Sequence, residues 1–151
     1  MRQIVTGVDD GGRSCVVAET VNPPAGETIG VHRVFATAST PAPARPAGRS
    51  RFADLHVDVG RTRWIMVQWP PGLSAEMHHT DTLDFDACLA GSIELVLDDG
   101  PHRLEAGDCA VVTGVDHGWR AGPEGCTLAV LLLGTPPPGT AGPPDETPTS
   151  G

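Results

Sequence analysis

Apolar positions in this chain come in short runs, most of them alternating with polar ones, and turn-forming Gly, Pro, Asn and Asp interrupt them at roughly 8–12-residue intervals. A period of two places successive side chains on opposite faces of an extended strand. Ile4 to Val8 and Ser14 to Glu19, joined by Asp9-Asp10-Gly11-Gly12, read as a hairpin, because Asp-Gly and Gly-Gly supply the positive φ that tight turns need. Asn22-Pro23-Pro24 ends it. Val31 to Thr37 reads as a further strand, and residues 38–51 are too rich in Pro and small side chains to lie inside a sheet. Trp64 to Trp69 is a strand stopped by Pro70-Pro71-Gly72. Leu89 to Leu97 alternates after Gly91 and turns at Asp98-Asp99-Gly100, and a short strand is expected from Cys109 to Val112. Cys126 to Leu133 is a continuous apolar run of the kind buried on both faces.

No stretch keeps a 3.6-residue period for a dozen residues, so helix contributes little and the fold class is all-β, a sandwich or barrel. Small barrels of this class can hold one ligand inside. At 151 residues the chain is one domain large enough for a real core. The tail, 135–151, has almost nothing to bury and is expected to be disordered.

Charge narrows the partners. The net charge is −9 and the chain has no Lys, which argues against nucleic acid, since phosphate binding needs clustered cations. No apolar run approaches the ~20 residues that cross a bilayer, so no membrane partner is expected. The start, Met1-Arg2-Gln3-Ile4, leads into Asp9-Asp10 instead of a signal-type apolar core, and a cytoplasmic location is expected. Four cysteines without a CxxC pair suit reduced thiols, with Cys88, Cys109 and Cys126 in or beside apolar strands.

Chemistry concentrates in His78-His79-Thr80-Asp81-Thr82-Leu83-Asp84, with a lone His117 far downstream. In an extended segment His78, Thr80, Thr82 and Asp84 share one face, and His79, on the other parity, faces outward. Imidazole and carboxylate are ligand types that divalent first-row metals prefer, and two His with one carboxylate is the pattern of non-haem iron sites. Asp86 shares the parity of Asp84, as a support behind the ligands or a general base. Trp119 shares that of His117, and Trp64 and Met66 are candidates for the same pocket. His32, His56 and His102 lack ligand-like neighbours.

The spacing resembles the cupins. Their first motif, G, five residues, HxH, three or four residues, E, six residues, G, is matched at every interval by Gly72, His78, Thr80, Asp84 and Gly91, with Thr80 in place of the second His and Asp84 in place of Glu. The second motif resembles Gly107 to His117, one residue shorter. Met77 to Asp84 is similar to small bacterial cupins in which an MHRTDTxD stretch replaces HxHxxxxE. The resemblance implies a cupin β-barrel, or jelly roll, with residues 64–134 as its core and residues 1–63 supplying amino-terminal strands and a Pro-rich loop to the barrel or a homodimer interface.

It also implies a metal site of His78, Asp84 and His117 holding a divalent ion (Fe, Zn, Ni or Mn), with Thr80 or Asp86 orienting substrate or water as catalytic groups and Trp119, Trp64 and Met66 binding substrate. The activity implied is that of a metal-assisted lyase or isomerase (dehydratase, decarboxylase or cyclase) of secondary metabolism, acting on a small, largely apolar or aromatic oxygenated compound. The alternatives are a non-catalytic small-molecule-binding cupin with a metal-free hydrogen-bond network, and a Fe(II) dioxygenase.

Overall fold

In the computed structural model, which describes residues 1–24, 26–27, 29–37, 39–45 and 48–139, nine strands form one strongly curled sheet. They are β1 (Arg2–Val8), β2 (Ser14–Val21), β3 (Arg51–Phe52), β4 (Thr62–Trp69), β5 (Ser74–His79), β6 (Thr82–Leu97), β7 (Gly100–Glu105), β8 (Cys109–Val112) and β9 (His117–Gly134). Among the described residues there is no helix, and so none long and apolar enough to cross a membrane. The all-β expectation is met, as a half-barrel. The tail expected to be disordered lies outside the described residues from position 140 onward.

Two long strands organise the sheet. β6 and β9 pair antiparallel along most of their length, from Thr82↔Gly134 to Val96↔Gly118, and each changes its other neighbour halfway. The first half of β6 pairs with β8 and the second with β7; the first half of β9 pairs with β5 and the second with β4. The change falls where the register shifts between Cys88 and Ile93. There Gly91 (φ 70) lies against Gly125, and a Cβ on Gly91 would sit 2.1 Å from the Gly125 carbonyl oxygen. No other side chain fits at that bend. The sheet thus folds over on itself, and its concave side encloses the main core.

That core contains Ile4, Ile93, Leu95, Leu104, Leu128 and Leu132, all 0–3% exposed. Each such side chain stabilises the fold by about 1.5–3 kcal/mol. The first three strands join the same sheet: β1 pairs antiparallel with β2 and parallel with β8, and β3 pairs parallel with β5. The β1–β2 turn is built on Asp9, whose Oδ1 accepts from the Gly11 and Arg13 amides at 2.8 and 2.9 Å.

Three strand expectations are corrected. Val31 to Thr37 is irregular, with Val31 88% exposed, because no strand pairs with it, although Val34 and Phe35 pack on Leu83 and Val111. Cys126–Leu133 is not a separate strand but the second half of β9, which runs on through a bend at Gly122-Pro123-Glu124-Gly125. Cys126–Leu133 also alternates: Leu128, Val130 and Leu132 are buried, whereas Leu131 is 38% exposed.

Cys88 and Cys126 are buried, with sulfur atoms 3.7 Å apart, well beyond the ~2.05 Å of a disulfide. Burial pushes the Cys126 thiol up to about 12, so no attacking thiolate exists at neutral pH. Ellman's reagent at pH 8 is expected to leave Cys88 and Cys126 unlabelled in the native protein and to label all four cysteines in denaturant. Rapid native labelling of the buried pair would contradict this packing.

Candidate active site

The site is assembled by strand register. β5 and β9 pair antiparallel with His78 opposite His117, and directly opposed residues place their side chains on the same face. The two imidazoles accordingly meet, their centroids 4.3 Å apart and their planes at 52°. Trp119, two residues further along β9, packs edge-on to His117 at 6.1 Å and 81°. The chain leaves β5 at His79 and enters β6 at Thr82, so the short link preserves parity. Thr80, Asp84 and Asp86 therefore line the same cavity as His78 and His117. This cavity, of about 230 Å³, is walled by Ile65, Val67 and Trp69 of β4, Leu128, Val130 and Leu132 of β9, and by Trp119 and Leu55.

Two expected lining residues are elsewhere. Trp64 and Met66 are 76% and 54% exposed on the outer face of β4, whose odd-numbered residues point inward. Ile65, Val67 and Trp69 take the place assigned to them. Gln68, the one polar residue of that run and on the parity of Trp64 and Met66, marks the outer face.

His79 stays out of the cavity, as its parity requires, but residues 48–52 cover it. Its Nδ1 lies 3.4 Å from Asp116 Oδ1 and its ring 5.6 Å from that of Phe52. A Cβ on Gly48 would collide with the ring. Asp116 accepts from the Arg49 and Ser50 amides at 2.6 and 3.0 Å and from the Ser50 hydroxyl. Burial lifts its carboxyl, but these bonds outweigh burial and hold it below the ordinary value. The residue before His117 thus pins the covering segment beside the site, a role not visible from spacing.

Electrostatics in the cavity follow from desolvation. His117 is 2% exposed, and its Nδ1 contacts the Val115 carbonyl at 2.8 Å. A carbonyl only accepts, so the neutral ring carries its proton on Nδ1 and leaves a lone pair on Nε2. His78 Nδ1 meets the Glu76 carbonyl at 2.9 Å in the same way. Burial, helped by His78, lowers His117 to about 4. Burial raises Asp84 to about 7 against the pull of the Thr82 hydroxyl, and burial and then the charge of Asp84 push Asp86 well above the ordinary carboxylate value. Asp84 Oδ1 and Asp86 Oδ2 are buried without a hydrogen-bond partner. Thr82 donates to Thr80 Oγ1 at 2.9 Å.

A divalent ion would find suitable donor chemistry here, two Nε2 lone pairs and a carboxylate. Convergence is lacking: among the described residues no group of three or more His, Cys, Asp or Glu is placed to hold a metal. The expected set of His78, Asp84 and His117 lines one cavity without forming a ligand cluster. His78 and His117 oppose each other across β5–β9, whereas Asp84 stands opposite Leu132 in the β6–β9 pairing.

No family model matches the chain. Over 51 residues it is 47% identical to Phomopsin biosynthesis cluster protein D of Diaporthe leptostromiformis, a stretch that is 33% of this chain and 27% of that protein. Over 125 residues it is 26% identical to Cupin-domain-containing oxidoreductase fogC of Aspergillus ruber, covering 76% of this chain and 61% of that protein. The matches therefore span less than two thirds of either relative. Among solved structures, an RmlC-like cupin of Shewanella frigidimarina is similar at 22% identity and a TM-score of 0.43, over 47% of this chain and 64% of that one.

Proposed function

We propose that this chain is a cupin-type enzyme of secondary metabolism that moves protons between carbon and oxygen in a small carbonyl compound, as a lyase or isomerase. The observation that carries this reading is the pairing, in one cavity, of a buried imidazole kept neutral with a free Nε2 and two carboxyl groups whose protonated form burial favours. Such opposed environments separate a general base from a general acid. His117 Nε2 takes a proton from the carbon next to the carbonyl, and the Asp84–Asp86 pair gives one to the carbonyl oxygen, forming an enol. Return of the His117 proton to a different carbon, as the enol gives its O–H proton back to the carboxyl pair, isomerises the compound; departure of a β-hydroxyl as water, protonated by the pair while the enol O–H proton returns to it, dehydrates it. Thr80, 0% exposed, positions the substrate oxygen or a water. Because the donors do not converge, no step is routed through a metal ion. The biosynthesis-cluster relatives support the metabolic setting.

The test is solvent exchange. Small ketones and β-hydroxyketones incubated with the protein in D₂O should gain deuterium beside the carbonyl, with or without chelator. Exchange that stops on chelation and returns with an added ion would replace this mechanism by the metal-assisted one. The name of the Aspergillus ruber relative supports a second, oxidative reading. Oxygen uptake dependent on Fe(II), without deuterium exchange, would establish that one.

A further inference from the structure

The cavity wall has a one-sided charge character. Among its lining residues none is Arg, and the chain has no Lys. Its ionisable members are Asp84, Asp86, His78 and His117, none of them a permanent cation. An anionic ligand entering it would lose its hydration and meet no fixed cation, only two carboxyl groups, and burying an unpaired carboxylate costs several kcal/mol. A neutral ligand loses far less and gains contact with two indoles, Trp69 and Trp119, and an aliphatic wall. The space matters as well. At about 30 Å³ per water, the 230 Å³ cavity holds roughly eight water molecules, enough for one substituted six-membered ring.

We infer that the cavity selects uncharged, apolar-bodied molecules of about one ring that carry a carbonyl or hydroxyl, and rejects carboxylates of the same shape. This rests on the cavity being the binding site of the proposed function, but on no turnover.

The probes are benzamide and benzoate, alike in shape and different in charge, titrated at pH 8 against the tryptophan fluorescence of a Trp64→Phe background. Removing the exposed Trp64 leaves the two cavity tryptophans as the reporters. Benzamide is expected to bind at least about tenfold more tightly than benzoate, a difference of about 1.4 kcal/mol. Leu55→Arg, which adds a cation from an irregular segment at the cavity wall, is expected to reverse the order. Equal or tighter binding of benzoate to the Trp64→Phe protein, no saturable response to either probe, or an unchanged preference in a folded Leu55→Arg protein would overturn the inference. Neutral-ligand preference without deuterium exchange would sink the proposed reaction alone; exchange accompanied by benzoate preference would sink this inference alone.

Discussion

At pH 8 the Asp84→Asn protein is expected to be more stable than its parent, by about 1–3 kcal/mol, although the substitution removes a site residue. Folding raises the Asp84 carboxyl from 3.8 to about 7. A rise of roughly three units corresponds to about 4 kcal/mol, because one unit is about 1.4 kcal/mol. The sign follows from proton counting. Below about pH 4 both folded and unfolded chains hold the proton, and no cost appears. Between about pH 4 and 7 the folded chain holds more protons than the unfolded one, so stability falls as pH rises, and the full cost is present above pH 7. Asn has no such slope. Its amide leaves a buried donor unpartnered, at about 1–3 kcal/mol, which reduces the gain. For a chain of this length, each kcal/mol shifts the melting temperature by roughly 2–4 °C. His117 contributes the opposite slope, since its lowered value makes stability fall as pH drops from 6.5 towards 4, but it does so in both proteins and cancels. Thermal or urea melts of the pair at pH 4 and pH 8 decide the matter. A stabilisation of the same size at both pH values, or a loss at pH 8, would show that burial does not strain this carboxyl.

Much of this site is legible in the sequence, and the reason is parity. His78, Thr80, Asp84 and Asp86 share a face in an extended chain, and the link between β5 and β6 is short enough to keep them in step. Trp119 follows His117 by the same rule. The rule gave no help in β4, where both faces are apolar; only Gln68 indicated which side was out, and side-chain bulk pointed wrongly to Trp64 and Met66. Nor could spacing show that the acid and the two imidazoles reach the cavity from separate parts of β9's pairing, because register between strands distant in sequence is fixed by the bend at Gly91 and Gly125. Val31 to Thr37 had strand composition without a partner strand. Local pattern says what a segment suits; whether a neighbour exists to take up its hydrogen bonds is a property of the whole fold.

His117→Gln is expected to slow deuterium exchange by about 10²–10⁴-fold in kcat/KM, the range ascribed to a positioned general base. Gln keeps a polar group of similar reach but cannot take a proton. The pH profile makes the prediction specific. The base must be unprotonated, so kcat/KM should rise through about pH 4, where His117 titrates. The acid must be protonated, so kcat/KM should fall through about pH 7, where Asp84 titrates. The bell therefore sits below neutrality, unlike that of a site working with an exposed histidine near 6.5. Residual exchange in His117→Gln should lose the acidic limb and keep the alkaline one, whereas Asp84→Asn should lose the alkaline limb. Benzamide affinity should change little in His117→Gln, because the substitution leaves the apolar wall intact. If both limbs survive in His117→Gln, or if the variant fails to bind benzamide while its melting behaviour is that of the parent, His117 holds the ligand and a different group moves the proton.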